Sequence, residues 1–92
     1  MNKSLDYFFI EITDTYAGEA NYSWVTRYKV KAASMRGALV KLSKYRGYQG
    51  QLKKVLDCGD LLRYDLRGAG VCVFIQYFDE MQAHNLINLK EI

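Results

Sequence analysis

From Ser23 to Ala32 the chain alternates strictly, with Trp24, Thr26, Tyr28, Val30 and Ala32 on one side and Arg27, Lys29 and Lys31 on the other. A period of two marks a strand with one face on a core and the other toward solvent. The outer row of this strand is basic. Leu5 to Thr13 reads as the strand before it, with Phe8, Ile10 and Ile12 facing the core. The stretch from Asp14 to Tyr22, which contains Gly18, is expected to be a long connecting loop, so the two strands form an antiparallel hairpin.

The period then changes. Ser34 offers an N-cap oxygen, and Met35, Ala38, Leu39, Leu42 and Tyr45 recur at helical spacing, which predicts a helix from about Met35 to Arg46. Gly47 is placed to end it, and Arg36, Lys41 and Lys44 project from the side opposite the apolar stripe. Gly37 weakens that helix by roughly 1 kcal/mol relative to Ala, which predicts close approach to a neighbour. After the Gly47-Tyr48-Gln49-Gly50 turn, three more strands are expected: Leu52 to Cys58, Leu61 to Leu66 and Val71 to Phe78. The last is apolar on both faces, as a central strand should be. Asp79 to Ile92 fits neither period, and the reading is a short helix followed by an extended tail.

The sum is an α+β fold in ββαβββ order, an antiparallel sheet of four to five strands with one helix packed on one face. The 92 residues form a single domain, 1–92. Half of them are apolar, too many for a disordered segment, and the absence of proline excludes Pro-rich linkers. A domain of this size buries only about 60 to 65 percent of its unfolded surface, which favours function on a surface over function in a deep pocket.

Asp6 and Glu11 interrupt any apolar segment of a secretion signal, and no run approaches the roughly 18 apolar residues of a membrane span. The expectation is a soluble, cytoplasmic protein with reduced thiols, so Cys58 and Cys72 are read as unpaired and buried within apolar runs. Catalysis has little to work with: His84 is the one histidine, and neither cysteine has an evident activating partner. Three Cys and His residues without paired spacing do not make a structural zinc site, and Asp57, Asp60 and Asp65 do not follow the calcium-loop pattern. Gly68-Ala69-Gly70 lacks the remaining parts of a dinucleotide fingerprint or a P-loop and reads as a turn. No metal, cofactor or small-molecule substrate is expected, and no enzymatic activity.

Charge is the most informative feature for function. Residues 20–56 contain no acid and hold nine of the thirteen Lys and Arg residues, leaving four basic and ten acidic residues elsewhere, so the two parts carry +9 and −6. The candidate binding residues are Arg27, Lys29, Lys31, Arg36, Lys41, Lys44, Arg46 and Tyr48, expected to share one positive face. Tyr22, Tyr45 and Tyr48 flank that face; Tyr45 is expected toward the core, and Arg46-Gly47-Tyr48 forms an exposed anchor.

The hairpin opening at Tyr7-Phe8-Phe9-Ile10-Glu11-Ile12, the strand Tyr28-Lys29-Val30-Lys31-Ala32-Ala33-Ser34, the short helix and the closing sheet together resemble small phage-encoded anti-CRISPR proteins. The resemblance covers about residues 5–78 and is closest in outline to inhibitors of type I, particularly type I-F, Cascade/Csy surveillance complexes. It implies a non-catalytic protein of the host cytoplasm that binds Cas subunits and blocks pairing of target DNA with the guide. Many such inhibitors are acidic DNA mimics; the basic face departs from that pattern and points to guide RNA phosphates or acidic subunit surface. The acidic loop around Asp14 and Glu19 would meet lysines of the same complex. The alternative from the same charges is a small RNA- or DNA-binding module, and a third reading is a phage-assembly protein facing an acidic subunit.

Overall fold

The computed structural model describes residues 6–77 and 89–92. Strand β1 is Asp6–Tyr16, β2 is Glu19–Ala32, helix α1 is Met35–Arg46, β3 is Leu52–Asp57, β4 is Leu61–Leu66, β5 is Val71–Tyr77 and β6 is Lys90–Glu91. All strands among the described residues join one sheet in the order β3-β4-β5-β1-β2-β6. The fold is α+β, as the periodicities predict, but the sheet has six strands and is mixed. β6 runs parallel to β2 through Tyr28↔Lys90 and Lys29↔Glu91. A two-residue strand carries no periodicity, which is why alternation does not reveal it. The helix expected after Asp79 lies outside the described residues, as does His84.

The alternation in β2 does what it predicts near the core. Tyr28, Val30 and Ala32 are buried with Phe8, Ile10 and Ile12 of β1, Val73 and Ile75 of β5, and Ala38 and Leu42 of α1. Fully burying one such aliphatic side chain contributes about 1.5–3 kcal/mol. Trp24 belongs to the same row by sequence but falls where the β1–β2 register breaks and is exposed. In β5, consecutive Cys72 and Val73 are both fully buried, so both faces of this central strand are covered. β3 lies at the sheet edge, and all of it but Leu52 is exposed.

The helix has the ends its sequence predicts. Ser34 Oγ accepts from the Gly37 N–H at 3.1 Å. Gly47 closes the other end in the left-handed region, with φ 73, and its N–H bonds back to the Ser43 carbonyl. Gly37 is not needed for close approach: an added Cβ would meet Ala32 Cβ and Ser34 Oγ, each at 3.5 Å, ordinary contact distances.

The expected long loop from Asp14 to Tyr22 is instead more strand, closed by a turn at Ala17 and Gly18, both at positive φ as a tight hairpin turn requires. A wide bulge takes the place of the loop. Register shifts between Thr13↔Val25 and Thr15↔Ala20, so Asn21 to Trp24 stand opposite Asp14 alone. Asp14 holds the bulge by accepting from Asn21 Nδ2 at 2.8 Å and from the Ser23 N–H at 2.9 Å. The buried Thr13 hydroxyl donates to the Trp24 carbonyl at 2.9 Å and accepts from the Tyr22 N–H at 3.0 Å. Polar side chains thus extend a hairpin that the hydrophobic pattern does not reach.

Candidate anionic-partner interface

The eight candidate residues do not share one face. Because Tyr28, Val30 and Ala32 meet α1, strand alternation sends Arg27, Lys29 and Lys31 to the sheet face away from the helix. Arg36, Lys41 and Lys44 project from α1 on the other side of the sheet. The expected single positive patch is therefore two surfaces, set back to back.

The sheet row is largely engaged within the molecule. Arg27 Nε lies 2.9 Å from Glu11 Oε2, an ion pair in which the carboxylate is the more buried partner. Glu11 also accepts from the Tyr22 hydroxyl at 2.8 Å, a bond that raises the Tyr22 pKa above its ordinary value. The Lys31 ammonium sits 5.5 Å from the Tyr7 ring centroid, within cation–π range. Lys29 stands between Phe9 of β1 and Glu91 of β6. Farther along the same face, Arg63 bonds Asp65 at 3.0 Å and donates to the Gly18 carbonyl at 2.8 Å, which ties the hairpin turn down to β4.

The helix cations differ from Arg27 and Arg63 in having no carboxylate paired with them among the described residues. Arg36, Val40 and Lys44 recur every four residues and form the outer stripe of α1. All three are exposed. Beside Lys44, a shallow depression is lined by Leu39, Val40, Ser43, Gln49 and Gly50. Lys41 lies on a flank and donates to the Lys31 carbonyl. Arg46 closes the helix with Nε 3.2 Å from the Tyr48 hydroxyl and Nη1 3.2 Å from the Tyr28 hydroxyl.

Two tyrosines exchange their expected places. Tyr45, expected inward, is 47 % exposed and sets its ring edge-on to Tyr28 at 5.5 Å. Tyr48, expected as an exposed anchor, is half-buried against the core and accepts from Arg46. Across from them Lys90, which the charge pattern of residues 20–56 leaves out, places its ammonium 5.1 Å from the Tyr45 ring centroid. Its only sequence signal is a positive charge in the expected extended tail.

Cys72 is buried, whereas Cys58, expected in an apolar run, is exposed past the end of β3. Cys58 bonds Leu61, which pairs with Gln76, four residues along β5 from Cys72. At ~3.3 Å per residue the two are about 13 Å apart along the strand, beyond the ~7 Å a disulfide spans. Among the described residues, no group of three or more His, Cys, Asp or Glu is placed to hold a metal ion. No described helix is long and apolar enough to cross a membrane. No family model, curated protein or solved structure matches the chain.

Proposed function

We propose that this protein is a non-catalytic inhibitor that binds a type I CRISPR surveillance complex, of the type I-F class its outline resembles, and blocks pairing of target DNA with the guide. The observation that carries this reading is the set of exposed cations on α1: Arg36 and Lys44 on its outer stripe, Lys41 on a flank and Arg46 at its end have no carboxylate paired with them among the described residues. Unneutralised like charge on one short helix is repulsive, and an anionic partner relieves it. In this reading Arg36 and Lys44 reach outward to guide RNA phosphates or acidic Cas subunit surface, with Val40 between them as the apolar contact. The β2 row of Arg27, Lys29 and Lys31 takes a secondary part.

The test is a pull-down of the assembled complex followed by a target-DNA mobility shift. Wild-type protein is expected to bind the complex and abolish DNA capture. The double substitution Arg36→Glu with Lys44→Glu is expected to weaken complex binding at least tenfold, while Lys29→Glu with Lys31→Glu weakens it less. Failure of the wild-type protein to bind the complex, with retention of free RNA or DNA lost at moderate salt, sinks the inhibitor reading and leaves an independent nucleic-acid module.

A further inference from the structure

Two cations without a carboxylate partner meet around one tyrosine at the β2–β6 edge of the sheet. Tyr28 pairs with Lys90 across the two strands, and its hydroxyl accepts from Arg46 at 3.2 Å. Tyr45 lies edge-on against Tyr28 and beneath the Lys90 ammonium. The Arg46 guanidinium carbon is 5.6 Å from the Tyr48 ring centroid. The neighbouring acid, Glu91, is turned to the other sheet face by strand alternation, where it approaches the Tyr7 hydroxyl. Among the described residues neither Arg46 nor Lys90 forms an ion pair.

We propose that Arg46, Lys90, Tyr45 and Tyr48 form a phosphate site for a single-stranded nucleic-acid backbone, with the Tyr45 ring as the surface on which the adjoining base stacks. The polar groups left over are donors. The Tyr48 hydroxyl accepts from Arg46, so its own proton is free to point outward, and Arg46 and Lys90 carry further N–H groups and no acceptor. A phosphodiester brings only acceptor oxygens and one negative charge, which matches that set. A carboxylate on a protein partner would satisfy the cations alone; a nucleotide would also cover the part of the Tyr45 ring that Lys90 and Tyr28 leave exposed. Contact with the Tyr48 hydroxyl raises the Arg46 pKa and contact with the Tyr45 hydroxyl raises that of Lys90, so both stay charged throughout the physiological range. The inference rests on the proposed reading that this end of α1 meets an anionic partner, and it names that partner's chemistry.

The test is fluorescence anisotropy of a labelled single-stranded RNA twelve-mer with the full chain. Lys90→Gln is the main variant, because it alters an exposed residue of a two-residue strand and leaves the core intact; circular dichroism verifies its fold. Lys90→Gln is expected to weaken binding about five- to tenfold and to lower the slope of log K against log salt by about one. Tyr45→Ala is expected to weaken it about tenfold, and Lys29→Gln or Lys31→Gln less than twofold. Wild-type affinity in folded Lys90→Gln and Tyr45→Ala, or a loss confined to the Lys29 and Lys31 variants, overturns the proposal. Competition by millimolar inorganic phosphate without any effect of Tyr45→Ala also overturns it, leaving a simple anion site. Capture of the surveillance complex by a protein that binds no RNA overturns this inference and keeps the inhibitor reading; RNA binding without capture does the reverse.

Discussion

Arg46 at the last turn of α1 donates from Nη1 to the hydroxyl of Tyr28, a residue buried in the middle of β2, across 3.2 Å. The bond fastens the end of the helix to the sheet at a point where the helix has no buried side chain of its own beyond Leu42. Tyr28→Phe keeps the ring packing and removes only the acceptor. The expected loss is about 0.5–1.5 kcal/mol, read as a melting temperature lower by several degrees, with the far-ultraviolet spectrum unchanged. An unaltered melting curve would show that the bond contributes nothing to docking the helix.

Asp14 is held well below the ordinary carboxylate range, first by its hydrogen bond from the Ser23 side chain and then by that from Asn21. The folded value lies below the unfolded one of 3.8, so its stabilising contribution is whole above that pH and is lost as pH falls toward the folded value. A carbon-13 titration of the side-chain carboxyls is expected to show Asp14 still ionised at pH 3, and Asp14→Asn to flatten the acid limb of the stability curve. A midpoint for Asp14 near 3.8 contradicts the bulge geometry.

The thiols are expected to separate cleanly. Burial pushes the Cys72 thiol up, while Cys58 is exposed. A disulfide reagent added to the native protein is therefore expected to modify one thiol rapidly, with Cys58→Ser abolishing that phase and denaturant releasing the second. Rapid modification of both in native protein would mean that β5 opens readily.

Gly37→Ala is expected to stabilise the protein by about 0.5–1 kcal/mol, because the helical site admits a methyl group without crowding and the unfolded chain loses freedom. Chemical denaturation with an unchanged slope and a higher midpoint is the signature. Ser34→Ala is the opposite case and is expected to cost about 1 kcal/mol through loss of the cap to Gly37.

Much of the fold is legible from local periodicity. Tyr28, Val30 and Ala32 lie on the buried side of β2, α1 begins and ends at Ser34 and Gly47, and Val71–Tyr77 forms a central strand. Long-range features are not legible in this way. β6 exists only because the chain returns to β2, and the bulge exists because Asp14 gathers donors from residues seven and nine positions on. The division of the charged residues was implicit all along: if Tyr28 and Val30 face the helix, Lys29 and Lys31 cannot lie beside Arg36 and Lys44. Counting charge along the chain conceals this, because linear density carries no information about which side of a sheet a residue takes. Tyr45 has inward phase on the helical wheel, but this turn of α1 lies at the β2–β6 edge of the sheet, where the ring packs on Tyr28 and stays half exposed.

The sheet order also dictates when the molecule can assemble. β1 ends at Tyr16, and its inner neighbour β5 starts only at Val71. A nascent chain that has released β1, β2 and α1 from the ribosome holds a hairpin and a helix whose apolar faces still lack Val73 and Ile75 of β5. One long edge of β1 waits, unbonded, for a strand not yet synthesised. Folding is thus tied to completion of translation through Tyr77, and a stalled or truncated product presents a sticky strand edge to whatever is nearby.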